Sequence, residues 1–524
     1  MTPVRRRPRT LSVRPLRRAA AAAGAAAVVL ASLVACTPGD SDGPEEGTQS
    51  AAPEVIGEVP AELEKYYSQN VVWEACEDSF LCATVEVPMD YADPDGSSIE
   101  LEVILSEARD TAEGTVLLNP GGPGGSGYDT VLESLEGVTT GRLRDDFNVL
   151  GFDPRGVGRS TPVDCLTDQE LDAARSESLD PSTDAGYEEA KESARDYAEQ
   201  CATESGELLG FVDTESAARD MDILRAVAGD PKLNYLGFSY GTFLGATYAE
   251  LFPETVGRMV LDGGIDPSAS NEDITLGQAK AFEKAIRSYV EDCQSSSNCP
   301  LKGSVDDGIQ TIRDLIASVE ASPMTAADGR EVNASTFVSG FILPLYNDAN
   351  WPALTQALTS ALRGDPTTML MLADLGAERN EDGTYSSNSS EVFSAVNCLD
   401  YPMETDRAQM DIDAAELEEA SPTLGRFLAY GGLTCEDWPY PPVNEPHRIS
   451  AEGAAPILVI GTTGDPATPY EWSQALAEQL DSAVLLTWEA EGHTAYGRGN
   501  QCIADAVDDY FSDGTVPEDG TVCS

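Results

Sequence analysis

Histidine is almost absent from this chain: His447 and His493 are the only two in 524 residues. No C-x-x-C and no Cys/His cluster occurs, so no zinc site is expected. Basic residues are also scarce. Lys+Arg total 32 against 91 Asp+Glu, a formal net charge of -59. Nucleic acid and anionic lipid repel such a polyanion, which excludes general DNA or RNA binding. No glycine-rich loop ends in G-K-[ST], and none is followed by the acid of a dinucleotide site. Phosphoryl and hydride transfer are therefore disfavoured, and no cofactor is expected. No internal repeat is evident. What is present is globular in balance, 41% hydrophobic and 23% charged. The length exceeds one ordinary core, which implies several domains or a core with a large insertion.

The N-terminus has the marks of export. Seven Arg and no acid occupy the first 18 residues, and an apolar run follows from Ala19 to Ala35. That run is too short and too Ala-rich to span a bilayer comfortably. Leu33-Val34-Ala35-Cys36 resembles the lipobox of bacterial lipoproteins. The resemblance implies removal of residues 1–35 and a diacylglyceryl thioether on Cys36; an ordinary secretory signal is the plainer alternative. Residues 36–62 are rich in Pro, Gly, Ser and acids and read as a flexible tether. The expected location is the outer face of the cell membrane, with contact to lipid through Cys36 only.

Setting Cys36 aside leaves ten cysteines, an even number that suggests disulfides in an exported protein. Spacing alone does not fix their connectivity. Pairing sequence neighbours gives 76–82, 165–201, 293–299, 398–435 and 502–523.

Residues 83–89 and 98–106 alternate in polarity, as half-buried antiparallel strands do. Six short apolar runs follow, at 115–118, 147–152, 233–236, 258–261, 455–460 and 483–487. Helical stretches such as 215–228 and 242–251 lie between them. This alternation predicts a mostly parallel sheet with helices on both faces. From 266 to 440 the strand signal disappears and helical stretches such as 277–292 and 305–321 dominate. That region reads as an inserted helical cap, between core parts at 63–265 and 441–524. A shorter insertion at 161–205 carries Cys165 and Cys201.

G-x-S-x-G occurs twice. Gly39–Gly43 has no strand before it and no helix after it; Gly237–Gly241 follows an apolar strand and precedes an Ala-rich helix. The second has the setting of a nucleophile elbow, which makes Ser239 the candidate nucleophile. A serine hydroxyl needs a base. His493 lies just past the last apolar run and is the candidate, whereas His447 sits in a Pro-rich stretch and reads as a surface residue. Asp465 ends the strand before the His strand and is the candidate acid. The order Ser239, Asp465, His493 is that of α/β-hydrolases. Asn119-Pro120-Gly121-Gly122-Pro123-Gly124-Gly125 follows a strand and can present bare N–H groups to an oxyanion. Gly122 is preferred to Gly121 as donor, with the N–H of Tyr240 as partner. Asp153 and Arg155, in the loop 151–160, read as braces for neighbouring loops.

Taken together, Pro-Gly-Gly-Pro-Gly at 120–124, Asp-Pro-Arg-Gly-Val-Gly-Arg-Ser at 153–160, Gly-Phe-Ser-Tyr-Gly at 237–241, Asp-Pro-Ala-Thr-Pro at 465–469 and Gly-His-Thr at 492–494 resemble the tripeptidyl aminopeptidases of actinomycetes. These are α/β-hydrolase serine peptidases related to prolyl aminopeptidases. The similarity spans about residues 70–524. It implies an acyl-enzyme exopeptidase that acts at a free N-terminus and releases a short peptide, with relatives that behave as carboxylesterases. Prolyl aminopeptidases usually carry His before Gly-Gly-Pro-Gly; Pro120 stands there, which favours the tripeptidyl branch. The resemblance also implies a cap acid that receives the substrate ammonium. Asp400, in Asn397-Cys398-Leu399-Asp400, is the candidate, against the plainer reading of a surface acid. The expected partner is a peptide with a free N-terminus. The rivals are an esterase with the same triad and a non-catalytic peptide-binding lipoprotein.

Overall fold

The computed structural model describes residues 59–77 and 79–524. Cys36, the leader and most of the tether lie outside the described residues. Twelve strands occur among those described: β1 Glu74–Cys76, β2 Phe80–Pro88, β3 Ser98–Ser106, β4 Thr115–Asn119, β5 Asn148–Phe152, β6 Leu233–Phe238, β7 Val256–Asp262, β8 Met324–Thr325, β9 Glu331–Val332, β10 Ile457–Gly464, β11 Ala483–Glu491 and β12 Thr521–Cys523. Ten of them form one sheet, in the order β1-β2-β3-β5-β4-β6-β7-β10-β11-β12. Pairing is antiparallel from β1 to β5 and parallel from β5 to β12. The fold is thus the expected α/β-hydrolase type, with a mostly parallel sheet.

The short apolar runs form strands because alternate residues supply two different cores. Leu117, Tyr235, Met259, Leu261 and Val459 pack on one face of the sheet. Their neighbours Val116, Leu118, Leu236, Val260 and Leu458 pack on the other. Both sets are almost fully buried, so the middle of each strand is apolar on both faces. Helices Thr214–Val227 and Tyr240–Leu251 cover the first face and Gln501–Asp513 the second.

Two edge strands, β1 and β12, were not expected from the sequence. Each has three residues, too few for a periodic signal, and each holds one half of a disulfide. Cys76 is bonded to Cys82 of β2, and Cys523 to Cys502 of the helix Gln501–Asp513. The other three bonds are 165–201, 293–299 and 398–435, so all five neighbour pairings occur.

Between β7 and β10 the chain is helical, apart from the two-residue strands β8 and β9. This helical segment has an apolar core of its own, built on Phe282, Ile286, Ile312, Phe337, Phe341 and Leu354. Asn388 joins it to the loop after β5: its Nδ2 donates to the carbonyls of Gly156 and Val163, and its Oδ1 accepts the Gly158 N–H. Among the described residues, no helix is long and apolar enough to cross a membrane.

Asp153 and Arg155 brace the loop after β5. Arg155 is buried and reaches both carboxylate oxygens of Asp220 at 2.7 Å, together with the carbonyls of Pro88, Met89 and Phe211. Asp153 accepts hydrogen bonds from the Ser126 hydroxyl and the Arg159 N–H.

Candidate active site

Five neighbouring parallel strands, β4, β6, β7, β10 and β11, run in one direction and end at the same edge of the sheet, β10 and β11 reaching past β7. The register pairs Asn119 with Gly237, Phe238 with Asp262, Asp262 with Ile460, and Gly464 with Glu491. Residues just past these ends therefore share one rim, where α/β sheets place their ligand sites. Asn119 leads into the glycine-rich loop, Phe238 into Ser239, Gly464 into Asp465, and Glu491 into Gly492-His493.

Ser239 stands between β6 and the helix Tyr240–Leu251 at φ 56° and ψ -123°. A non-glycine residue held at positive φ is strained, and the strain lifts its hydroxyl out of the turn. The turn is possible because its flanks lack side chains: a Cβ at Gly237 would lie 2.4 Å from the Gly241 carbonyl oxygen. Ser239 N–H donates to the Asp262 carbonyl at 2.9 Å, which ties the elbow to β7.

The glycine-rich loop packs directly on this elbow. At Gly121, where φ is +97°, a Cβ would lie 2.5 Å from the Phe238 carbonyl oxygen and 2.9 Å from Ser239 Cβ. The Gly121 N–H is occupied, because it donates to Asn119 Oδ1 at 3.0 Å. The Gly122 N–H has no protein acceptor among the described residues. Tyr240 begins its helix, so its N–H belongs to the first turn, which has no intrahelical acceptor. Two N–H groups near one hydroxyl can stabilise an oxyanion.

His493 Nδ1 lies 2.9 Å from both Oδ1 and Oδ2 of Asp465. The Asp465 side chain is fully buried and is held by the N–H groups of Ala467, Thr468 and Thr494 and by the Thr468 hydroxyl. Burial pushes the His493 pKa down, but the charge and hydrogen bond of Asp465, with the charge of Asp262, overcome this and raise it; Arg498 opposes them. The Ser239 Oγ to His493 Nε2 hydrogen bond is not formed in this structure; such contacts often close only around a substrate. The two residues nevertheless flank one peptide. Gly263, next to the Asp262 that holds Ser239, would place a Cβ 3.3 Å from His493 Cε1.

The helical segment reaches this rim. The Tyr346 carbonyl accepts the His493 N–H at 2.7 Å, and the Tyr346 ring meets the imidazole edge-on at 5.5 Å. Arg498 ties the His loop to the same segment, donating to Asp348 Oδ1 at 2.8 Å and to the carbonyls of Glu491 and Thr494.

The ammonium-receiving role expected of Asp400 does not fit its surroundings. Asp400 is 2% exposed and lies behind Tyr240, where it accepts from the Thr214 N–H at 3.0 Å, the Thr214 hydroxyl and Asn444 Nδ2 at 2.7 Å. It is neither a surface acid nor open to a substrate. His447 lies at the surface and pairs with Glu250 at 2.9 Å, as expected of a surface residue.

Asp262, Thr468, Tyr346 and Arg498 did not stand out in the sequence. Asp262 ends an apolar strand just as Asp465 does, and that same signal could have found it. Tyr346 lies in a helical stretch with no local mark of function.

Residues 114–305 match the family model described as alpha/beta hydrolase fold, and residues 421–523 match the one described as TAP-like protein. The chain is 35% identical over 490 residues to "Serine protease Hip1" of Mycobacterium tuberculosis, covering 90% of this chain and 94% of that protein. This chain belongs to the TAP-like α/β-hydrolases. It is 36% identical to "Carboxylesterase B" of Mycobacterium tuberculosis, covering 84% of this chain and 86% of that one. It is 31% identical to "Tripeptidyl aminopeptidase" of Streptomyces coelicolor, covering 87% of this chain and 86% of that one. As a TAP-like α/β-hydrolase, the chain is a serine hydrolase.

Proposed function

We propose that the protein is an exported serine exopeptidase that cleaves near a free N-terminus and releases tripeptides. In this reading Ser239 is the nucleophile, His493 the general base and Asp465 the acid that orients it. His493 takes the Ser239 proton as Oγ attacks the scissile carbonyl. Asp465 fixes the tautomer with the proton on Nδ1 and stabilises the imidazolium. The Gly122 and Tyr240 N–H groups receive the oxyanion. His493 then gives its proton to the leaving amine, and water, deprotonated by His493, releases the acyl product. The observation that carries the reading is the doubly bonded Asp465–His493 pair, on the same rim as a serine held at positive φ.

The helical segment reads as a cap over the cleft, because Tyr346 covers the edge of His493. A net charge of -59 favours a cationic N-terminus. Two relatives named as a serine protease and a tripeptidyl aminopeptidase support the peptidase reading. The relative named Carboxylesterase B supports a second one, an esterase with the same residues. A free-amine tripeptide p-nitroanilide and its N-acetylated form separate the two. The exopeptidase loses most of its kcat/KM on acetylation, whereas equal rates favour the esterase. Ser239→Ala is expected to abolish turnover, by roughly 10⁶-fold, without loss of fold; an unchanged kcat rejects the assignment.

Anchoring through Cys36 is part of the same proposal and rests on Leu33-Val34-Ala35-Cys36. Cells fed an alkyne fatty acid should label the protein, and Cys36→Ala should remove the label.

A further inference from the structure

Asp262 is a second buried carboxylate beside the imidazole, and the relay described above does not use it. It is 0% exposed. Its carboxylate accepts the Ala495 N–H at 3.0 Å and the Tyr496 N–H at 2.7 Å, both in the loop that carries His493. Its own carbonyl accepts the Ser239 N–H at 2.9 Å. One residue therefore grips the nucleophile's backbone with its main chain and the base's loop with its side chain. No Lys or Arg pairs with it among the described residues. A buried carboxylate without a cation is costly, and a neutral amide could accept the same two N–H groups. The charge itself therefore needs a beneficiary, and His493 is the nearby group that becomes a cation during the reaction.

We propose that Asp262 is a positioning residue for the reaction: it fixes the His493 loop against the Ser239 elbow, and its charge stabilises the His493 imidazolium. The proposal rests on the Ser239–His493 reading above and is independent of whether peptides or esters are cleaved. Burial pushes the Asp262 carboxyl up to about 6, against the two N–H donors and the His493 charge that lower it, so at neutral pH the carboxylate form predominates. The charged groups facing His493 are Asp465 after β10, Asp262 at the end of β7, and Arg498 of its own loop, which is itself paired with Asp348 of the helical segment. The Tyr346 ring meets it in a T-shaped contact.

The test is Asp262→Asn in the exported protein, assayed with p-nitrophenyl butyrate and with a tripeptide p-nitroanilide, each rate normalised to sites titrated by a fluorophosphonate. The expected kcat falls on the order of 10²-fold, the loss typical of a displaced catalytic group, while KM changes little. The acid limb of kcat/KM moves to lower pH, because removing a nearby negative charge makes His493 easier to deprotonate. A variant with lower Tm but unchanged kcat per titrated site and an unchanged acid limb overturns the proposal, because Asp262 is then structural only. Should Asp262→Asn fail to fold, Asp262→Glu decides. It keeps the charge and displaces it, so the limb should stay and kcat should fall; an unchanged kcat overturns the proposal. Ser239→Ala run alongside separates the two readings, because turnover in that variant rejects the nucleophile itself.

Discussion

Asp400 and Tyr240 share one hydroxyl, that of Thr214, which donates to the Asp400 carboxylate and lies within hydrogen-bonding distance of the Tyr240 phenol. The residue after Ser239 is thus backed by a buried acid at the end of the helix Ser389–Asp400. Burial, with the charge of Asp213, pushes the Asp400 carboxyl up to about 7. Between about pH 4 and pH 7 the fold holds a proton that the unfolded chain releases, so stability falls as pH rises through that window. Above pH 7 the full cost is present, on the order of 4 kcal/mol. Asp400→Asn removes the charge and keeps the shape. Its Tm should exceed that of the wild type at pH 8, with a smaller gap at pH 5. An equal gap at both pH values contradicts the assignment of a buried, proton-holding acid.

The pH profile of activity carries a sign as well. The base must be neutral, and the carboxylates of Asp465 and Asp262 raise His493 above its ordinary value. Activity should therefore fail on the acid side at a pH higher than a free histidine would give. Asp465→Asn should reduce kcat by about 10⁴-fold, since an amide at Nδ1 favours the wrong tautomer. A kcat/KM profile of both enzymes measures this.

Arg155 and Asp220 are both buried and joined through two hydrogen bonds. Arg155→Met should cost about 3–5 kcal/mol, because the buried Asp220 is left without its cation and keeps only the Tyr91 hydroxyl. The double variant Arg155→Met with Asp220→Asn should regain part of that loss. Denaturant melts of the three proteins test the ordering. If the single variant is as stable as the double, the pair does not act as a unit.

The bond between Cys502 and Cys523 closes a loop over 21 positions and holds β12 on the sheet edge beside β11. Replacing both cysteines by Ala should lower stability by about 3 kcal/mol. Hydrogen exchange should speed up most at Thr521–Cys523, a three-residue strand with little burial of its own.

Much of this molecule was legible in its sequence because the signals are local. A strand buried on both faces is apolar at nearly every position, so Val116–Leu118, Leu233–Leu236 (with the single exception of Asn234), Met259–Leu261 and Ile457–Ile460 announce a covered parallel sheet. A serine between Gly237 and Gly241, at the junction of such a strand and a helix, announces a tight turn. Asp465 and His493 stand where their strands run out, and the register of neighbouring parallel strands brings those ends together. The even number of cysteines pointed to disulfides, and the structure pairs them as neighbours along the chain, which spacing alone left open. Asp465 was legible among the 91 acids, but only the tertiary structure brought a second one, Asp262, to the His493 loop, because that depends on strand order and on which main-chain N–H groups converge. It set Asp262 against the His493 loop and closed Asp400 off behind Tyr240, and it brought Tyr346 back across about 150 residues to the His493 ring. Those placements come from contacts between segments far apart in the chain, and no local pattern of residues encodes them.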